Sequence, residues 1–322
     1  MATNNNYTIE NLLGSGHFGK VYKAEKGGKT FAIKKVVNTE RNTAHQEIKI
    51  LKQVDHNRII KYYDHFMEGK ILCIVLEYAD VGTMEKAVKQ GRAGKHEEWA
   101  VWRVTSHLSS ALAYLHSRNP QILHHDLKPD NILGVTVWCK IENKYTISWK
   151  IADFGVAKML TREAQEQYYG GDGPGIPTYM GPEVLRDFET YSAASDVWSL
   201  GCVIAFAMRR GKHVFNCNDD VLYYRANMAS DMIFNEESTN NYSTDLIQLV
   251  CSMIQVCFYL KLEIVVSFPT RQCLASGPQP RVCMTVALQR GVKAASIEQV
   301  ELNFYLSANY PFCNAQFCRV YE

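Results

Sequence analysis

The sequence lacks an excess of charge of either sign, because its 35 lysine and arginine residues nearly balance its 33 aspartate and glutamate residues. Nucleic acids and anionic membranes bind concentrated positive surfaces, so neither is expected as the main partner. The sequence also lacks a run of about 18 apolar residues. The most apolar stretch, Leu246–Val266, is interrupted by two glutamines, a lysine and a glutamate. A membrane-spanning segment is therefore not expected.

Closely spaced cysteines are absent as well, and the first residues do not have the pattern of a secretory leader. The ten cysteines form no CxxC pair, whereas zinc sites and disulfide frameworks show tighter spacing. The first residues, MATNNNYT, carry no basic stretch followed by an apolar segment, so a secretory signal is not expected. These absences favour reduced thiols and a cytoplasmic or nuclear location.

The sequence does contain an ordinary globular composition, with 47% apolar and 21% charged residues among 322 positions. This length allows one large two-lobed domain or two domains. Near the start, YTIENLL and KVYKAE have the pattern of strands on either side of the glycine loop GSGHFG, Gly14–Gly19. The Gly27-Gly28 pair predicts a hairpin into a third strand, KTFAIKKV. A glycine loop of this kind allows close approach to phosphates, although such hairpin tips are also common without a ligand.

Lys34 lies in the apolar strand segment AIKK, where alternation places it on the opposite face from Lys35. A buried ammonium group is costly without a partner, so Lys34 predicts a nearby carboxylate. The next segment, TAHQEIKILKQV, is predicted to be a helix that begins with a capping box of Thr43 and Gln46. Glu47 lies at the border of its apolar stripe and is the candidate partner. The alternative is that Glu47 is an ordinary exposed helix residue.

A long amphipathic helix is predicted over Glu97–Ser117, and the octet loop HHDLKPDN, His124–Asn131, follows it. The DFG segment, Asp153–Gly155, comes 22 residues after the octet loop. Aspartate, asparagine and a second aspartate on neighbouring loops suit Mg²⁺, which prefers oxygen ligands. A metal site of His124 and His125 is the weaker alternative, because adjacent side chains in extended backbone point apart.

Within this set the residues divide into two roles. Asp126 is expected to accept the proton of an attacking hydroxyl group, and Lys128 to neutralise charge on a transferred phosphoryl group. Asn131 and Asp153 are expected to hold the metal ions.

The chain resembles a eukaryotic-type protein kinase, because these motifs occur in the order found in that family. The motifs are GSGHFGKV, AIK, Glu47, HHDLKPDN, DFG, GPE at Gly181–Glu183 and DVWSLG at Asp196–Gly201. The resemblance implies an α+β bilobal fold with an atypical C-terminal end. It places a small β-rich N-lobe at residues 7–79, a larger helical C-lobe at 80–257 and a divergent tail at 258–322.

The resemblance also implies ATP and Mg²⁺ as cofactors and protein substrates bearing serine or threonine. Lys34 would pair with Glu47 and bind the α- and β-phosphates, and both join Asp126 and Lys128 as catalytic residues. The residues expected to bind ATP are Leu13, Gly14, Ser15, Gly16, Gly19, Val21, Ala32, Lys34, Leu76, Glu77, Ala79 and Leu133. Among them Leu76 would be the gatekeeper, Glu77 and Ala79 would bond adenine through their backbone, and Val21, Ala32 and Leu133 would enclose the ring. Asp196 would anchor the octet loop from a buried helix.

Lys128 and Thr178 are similar to the serine/threonine branch of the family, and EIKILKQVDHNRIIKYYDHF with IVLEYADVGTM is most similar to the NIMA-related kinases. A kinase-like binding or scaffold protein with little turnover is the alternative to an active enzyme.

The chain departs from the family pattern at His125, where the family has an arginine that pairs with a phosphate on the activation loop. Histidine does this poorly at neutral pH, which predicts activity with little dependence on activation-loop phosphorylation. The alternative is that His125 only packs against its neighbours. Gly181 replaces an alanine.

The longest departure begins near Val256, where the family has an arginine that pairs with Glu183, followed by closing helices. FYLKLEIVVSF instead alternates as a strand does, and Arg271 is a candidate for the missing arginine. Three alternatives remain for the tail: a divergent closing segment, an added β unit, or a segment that does not fold natively, which we favour. A further insertion between Leu133 and Lys150 predicts two strands joined at residues 142–144.

Overall fold

The computed structural model of the chain describes residues 6–16, 19–36, 41–91, 97–140, 143–159, 179–186, 191–216, 220, 234, 241–254, 260–265, 282–290 and 299–306. The fold of these residues is α+β and bilobal, as the resemblance implies: a β-rich lobe comes first in the chain and a lobe rich in helices follows it.

The first lobe contains a five-stranded antiparallel sheet. Its strands are β1 (Thr8–Gly16), β2 (Gly19–Lys26), β3 (Lys29–Val36), β4 (Tyr62–Glu68) and β5 (Ile71–Glu77), in the spatial order β1-β2-β3-β5-β4. The predicted hairpin is present, and Gly27 and Gly28 both have positive φ, at 58° and 71°. Two successive residues of this conformation form the tight turn that matches the twist of the flanking strands.

Helix α1 (Arg41–Leu51) packs against one face of this sheet. Its predicted apolar stripe is buried, and Ala44 and Ile48 contact Val36, Leu72 and Ile74 of the sheet. The predicted capping box is wrong. The helix already begins at Arg41, so Thr43 lies inside it rather than at its cap.

The second lobe begins with β6 (Gly82–Thr83), α2 (Met84–Lys89) and α3 (Glu98–His116), which corresponds to the long predicted helix. The octet loop follows the short strand β7 (Ile122–Leu123) and ends in a 3₁₀ turn at Pro129–Asn131. The predicted insertion is a hairpin of β8 (Ile132–Cys139) and β9 (Lys144–Ile151). Strand β10 (Lys158–Met159) pairs with β7, and helices α4 (Pro182–Arg186), α5 (Ala193–Met208) and α6 (Thr244–Ile254) complete the lobe.

Helix α5 is the centre of the large lobe. Every residue from Ser195 to Met208 is buried, as expected for a helix that is apolar on all sides. Gly201 allows α6 to approach closely, because an added Cβ would lie 2.8 Å from Ile254 Cγ1 and from Met253 Cβ. Since α5 is central, the polar side chains that it carries are held within the core.

The tail contains strands where the family has helices. Strands β11 (Leu260–Val265), β12 (Val282–Arg290) and β13 (Gln299–Leu306) form an antiparallel three-stranded sheet, and β11 lies against α3 and α5. The predicted strand character is therefore confirmed at β11. Arg271 lies outside the described residues. Among the described helices, none combines the length and the hydropathy that a bilayer crossing requires.

Candidate active site

The two lobes meet at a buried cluster of three charged side chains. Lys34 Nζ on β3 lies 2.8 Å from Glu47 Oε2 on α1 and 2.8 Å from Asp153 Oδ1 in the DFG segment. Lys34 and Glu47 are only 6% and 2% exposed, and Asp153 is partly exposed. The buried lysine thus has the carboxylate partner that the sequence predicts, together with a second one from the other lobe.

The charge states of this cluster follow from burial and mutual attraction. Burial alone would lower the pKa of Lys34, but Glu47 and Asp153 outweigh it and hold that pKa above the ordinary value of lysine. Burial raises the pKa of Glu47 despite the attraction of Lys34. Burial would also raise the pKa of Asp153, yet Lys34 and the backbone N–H of Gly155 hold it below the ordinary value. The cluster therefore keeps a protonated lysine next to an ionised Asp153.

Helix α1 makes a further contact with the chain beyond the DFG segment. Gln46 Nε2 donates a hydrogen bond of 2.8 Å to the backbone oxygen of Ala157. Gln46 and Glu47 are adjacent. The same turn of α1 therefore bonds Ala157 through Gln46 and Lys34 through Glu47. Sequence reasoning assigned Gln46 to a helix cap and missed this role, because its partner is 111 residues away.

The octet loop places its three expected functional side chains in direct contact. Lys128 Nζ lies 2.9 and 2.7 Å from the two carboxylate oxygens of Asp126. Asn131 Nδ2 donates to the backbone oxygen of Asp126 at 2.7 Å and to its Oδ2 at 2.8 Å. Burial raises the pKa of Asp126, and Lys128 opposes that shift. The result is a carboxylate with a fixed orientation.

The two histidines of the octet loop have different environments. His124 Nδ1 accepts the backbone N–H of Asp126, and its Nε2 lies 3.1 Å from the oxygen of Ala152. This pairing fits the tautomer in which Nε2 donates and Nδ1 accepts. His125 has a positive φ of 67°, and its ring stacks on that of Tyr191 with 3.8 Å between the ring centroids. The two rings therefore contact different partners, Ala152 and Asp126 for His124 and Tyr191 for His125.

Asp196 on α5 fixes the start of the octet loop. Its carboxylate accepts the backbone N–H groups of His124 and His125 at 2.9 and 3.0 Å. His116 at the end of α3 and the hydroxyl of Tyr191 also contact it, at 2.8 and 3.1 Å. Burial would raise the pKa of Asp196, but the hydrogen bond and charge of His116, followed by His125 and His124, lower it to about 2. The anchoring expected of Asp196 is present, whereas His116 and Tyr191 had no signal in the local sequence.

The residues expected to enclose a nucleotide base lie on one face of the first sheet. Val21 is opposite Lys34 and Ala32 is opposite Leu76 in the strand register. Directly opposed residues share a face, and positions two apart on β3 share it also. This face therefore carries Val21, Ala32, Lys34 and Leu76. Leu133 comes from the second lobe, on β8 opposite Thr83.

The connection between the lobes contains Glu77 and Ala79, the two residues expected to bond adenine through their backbone. The N–H of Glu77 donates to the oxygen of Lys61 at 2.8 Å. The oxygen of Ala79 accepts the N–H of Gly82 at 3.2 Å. The side chain of Glu77 makes a separate ion pair, with 2.7 Å between its Oε1 and Lys150 Nζ.

The glycine loop is described on both sides of residues 17–18. An added Cβ at Gly14 or Gly16 would meet no protein atom within 4 Å, whereas one at Gly19 would overlap the carbonyl oxygen of Lys35. Gly19 also has a φ of 126°, which side chains rarely adopt. Packing thus requires glycine at Gly19 only. The neighbouring Leu13 and Ser15 are exposed.

Each of the two expected Mg²⁺ ligands, Asn131 and Asp153, has an oxygen atom that its hydrogen bonds to the described residues do not use. Asn131 directs its Nδ2 toward Asp126, so its Oδ1 faces away from that carboxylate. The hydrogen bonds that Lys34 and Gly155 donate to Asp153 both use Oδ1, which leaves Oδ2. A carbonyl and a carboxylate oxygen are suitable Mg²⁺ ligands when phosphate oxygens complete the shell. Among the described residues, no group of three or more His, Cys, Asp and Glu side chains is arranged to hold an ion.

Comparison with known proteins agrees with this geometry. A family profile described as "Protein kinase domain" matches residues 7–264. The chain is similar to the probable serine/threonine-protein kinase nek3 of Dictyostelium discoideum, with 32% identity over 259 residues, which are 76% of this chain and 21% of the relative. It is also similar to calcium-dependent protein kinase 5 of Plasmodium berghei (strain Anka), with 32% identity over 263 residues, which are 78% of this chain and 43% of the relative. A third relative, serine/threonine-protein kinase Nek6 of Oryza sativa subsp. japonica, is 31% identical over 267 residues, which are 77% of this chain and 44% of the relative.

The similarity to NIMA-related kinases expected from the sequence is thus confirmed, at about 30% identity. The chain spans less than half the length of these curated relatives. Thr178, the other residue on which the serine/threonine assignment depended, lies outside the described residues.

Proposed function

Because the chain belongs to the protein kinase domain family, we propose that it is an ATP-dependent serine/threonine protein kinase, which transfers the γ-phosphoryl group of ATP to protein hydroxyl groups. The observation that carries the proposal is the convergence of two clusters. Lys34, Glu47 and Asp153 form one, and Asp126 with its partners Lys128 and Asn131 forms the other. A protein that had lost catalysis would not need to retain all six.

Nucleotide binding is supported by the connection between the lobes. The edge of adenine offers an amino donor and a ring-nitrogen acceptor. A carbonyl group at Glu77 and an N–H group at Ala79 would match this pair, because one accepts and the other donates. Val21, Ala32 and Leu76 would contact one side of the ring and Leu133 the other.

The glycine loop supports a phosphate ligand. Gly14 and Gly16 face open space, so the packing of the protein itself does not require glycine there. A phosphate chain lying against the backbone at these positions would require it, since any Cβ would hold the chain away.

Each charged residue has a part in the proposed transfer. Lys34 binds the α- and β-phosphates and Glu47 orients it. Asp126 accepts the proton of the attacking hydroxyl group, and Lys128 stabilises negative charge on the transferred group. Mg²⁺, when bound by Asn131 and Asp153, would neutralise the phosphates.

We also propose, from the similarity to NIMA-related kinases and from Lys128, that the acceptor is serine or threonine. The alternative, a kinase-like scaffold with little turnover, is favoured by one observation, the buried His125 in place of the arginine expected there.

The experiment measures thermal stabilisation by Mg²⁺ and ATP together with phosphorylation of a serine/threonine peptide library. Asp126→Asn should lower turnover by roughly 10²- to 10⁴-fold and retain nucleotide binding, whereas Asp153→Asn should reduce the stabilisation by Mg²⁺ and ATP. Asp245→Asn on α6, an exposed aspartate, is the matched control. Stabilisation without turnover in the unmodified chain supports the scaffold, and no stabilisation contradicts both functions.

A further inference from the structure

Glu183 is a buried carboxylate outside the two clusters, and the central helix α5 contacts it through a serine. Glu183, near the start of α4, is 9% exposed and accepts a hydrogen bond from the hydroxyl of Ser195 on α5. We propose that Ser195 is the positioning residue for Glu183, and that through it α5 fixes the segment Tyr179–Glu183 relative to the octet loop. This inference rests on the proposed kinase function.

The hydroxyl of Ser195 has a defined orientation. It donates to Glu183 Oε1 at 2.9 Å and accepts the backbone N–H of Ser192 at 3.2 Å. A serine hydroxyl has one proton, so the Ser192 N–H, by occupying a lone pair, directs that proton toward the carboxylate. Ser195 is completely buried, so water does not compete for this bond.

The glycine at position 181 belongs to the same arrangement. A Cβ added at Gly181 would lie 2.5 Å from Glu183 Oε1, 2.7 Å from its Oε2 and 2.8 Å from its Cδ. The glutamate side chain therefore folds back over Gly181, into the space that the alanine of the family pattern would fill. An alanine here would displace the carboxylate, and the displacement would break its bond to Ser195.

Helix α5 connects this arrangement to the octet loop. Asp196, the next residue, binds the backbone of His124 and His125. Ser199, one turn later, donates to the backbone oxygen of Tyr179 at 2.8 Å. Three polar residues within five positions of one buried helix thus hold both the proposed base and the segment Tyr179–Glu183. This segment ends the stretch between the DFG segment and α4, where a protein substrate would bind in a kinase.

The test compares Ser195→Ala, Gly181→Ala and the double variant in the full chain. Ser109→Ala is the matched control, since Ser109 is a completely buried serine on α3 whose hydroxyl bonds no described residue. We expect Ser195→Ala to raise the KM for a peptide substrate about tenfold, the size of effect that loss of a hydrogen bond to a charged group produces. The KM for ATP should stay within about twofold, because the nucleotide site is not touched.

The double variant distinguishes positioning from general destabilisation. Gly181→Ala should raise the peptide KM by a similar factor, and the double variant should be no worse than the worse single variant, because both changes release the same carboxylate. Multiplicative effects, or a rise in the KM for ATP equal to that for the peptide, would overturn the inference.

A measurement independent of activity separates this inference from the proposed function. Double-variant cycles of the free energy of unfolding, by chemical denaturation, should show coupling between positions 181 and 195 even if no phosphoryl transfer occurs. An inactive chain with this coupling contradicts the kinase function alone, and independent effects at the two positions contradict the role of Ser195.

Discussion

His125 occupies a left-handed backbone conformation at the start of the octet loop, and its ring lies inside the protein against Tyr191. The side chain is only 4% exposed, so it does not extend outward as an arginine that reaches a phosphate would. The packing alternative therefore has a structural basis, and it agrees with the expected independence from phosphorylation. The activation loop itself, residues 160–178, lies outside the described part of the chain.

We predict that phosphatase treatment leaves most of the activity of this chain intact, because His125 is buried and cannot form the bidentate pair that an arginine forms with a phosphate. Activity would be measured before and after treatment, with removal of phosphate checked by mass spectrometry. Loss of most of the activity in a sample shown to be dephosphorylated contradicts this prediction.

The ionisation of Asp126 predicts the shape of the acid limb of the pH profile. Burial raises its pKa above the ordinary 3.8, and Lys128 opposes the shift. A general base acts when deprotonated, so kcat/KM should rise with pH through a midpoint above 3.8. In Lys128→Met the opposing charge is lost, and the midpoint should move to still higher pH. Circular dichroism over the same pH range controls for acid unfolding. If the kcat/KM midpoint of Lys128→Met equals that of the unmodified chain, Asp126 is not the base.

At this scale, sequence reasoning found the residues whose chemistry is costly without a partner. A buried lysine demands a carboxylate, so Lys34 predicted a partner, and Glu47 on an amphipathic helix was the candidate, with an exposed position as its alternative. The contacts of Gln46, His116 and Ser195 could not be found in this way. Each is a common polar residue in a helix, and its partner is fixed only by tertiary packing.

Among the helices and strands, α1 makes one contact with the other lobe that a single substitution can remove. Gln46 links it to Ala157 by a single hydrogen bond beside the pair of Lys34 and Glu47. Gln46→Ala should lower kcat/KM about fivefold, since loss of a neutral hydrogen bond costs about 1 kcal/mol. Gln53→Ala, just past the end of α1, is the control, because its amide bonds only a backbone oxygen of the same helix, that of Lys49. Equal effects of the two changes would contradict a role for the Ala157 contact.

Strands and hairpins followed from the sequence because alternation and paired glycines are local signals, as β1 to β3 and the β8–β9 hairpin show. The start of α1 did not follow. A capping box is defined by only two side chains, and Gln46 instead satisfies an acceptor on another segment. The central position of α5 was expected because its sequence offers no polar face to solvent.

For the whole molecule, the relation of the tail to the core of the large lobe leads to a prediction about truncation. The large core cluster draws its buried members from Ile50 to Ile254, and β11 lies against α3 and α5. We predict that a chain truncated after Gln255 still unfolds cooperatively and is stabilised by Mg²⁺ and ATP. It should lose about 3 kcal/mol of stability, the equivalent of uncovering one or two large apolar side chains.

Thermal and chemical denaturation with and without nucleotide would measure this loss. A truncated chain that aggregates, or that no longer responds to nucleotide, contradicts the prediction and makes the tail a necessary part of the lobe. The boundaries at residues 79 and 257 remain predictions until such variants are examined. They could not be fixed from sequence, since the strand pattern after Val256 replaces the helices that end the family pattern.

The burial of α5 on every side has a consequence for the native-state motions of the protein. A helix without a solvent-facing side cannot open by fraying outward, so its amide hydrogens should exchange with deuterium only when the whole lobe unfolds. The backbone amides of His124 and His125 are bound to Asp196 on that helix, and they should share its slow exchange. Partial opening of surface segments would then leave the start of the octet loop undisturbed until the lobe itself is lost.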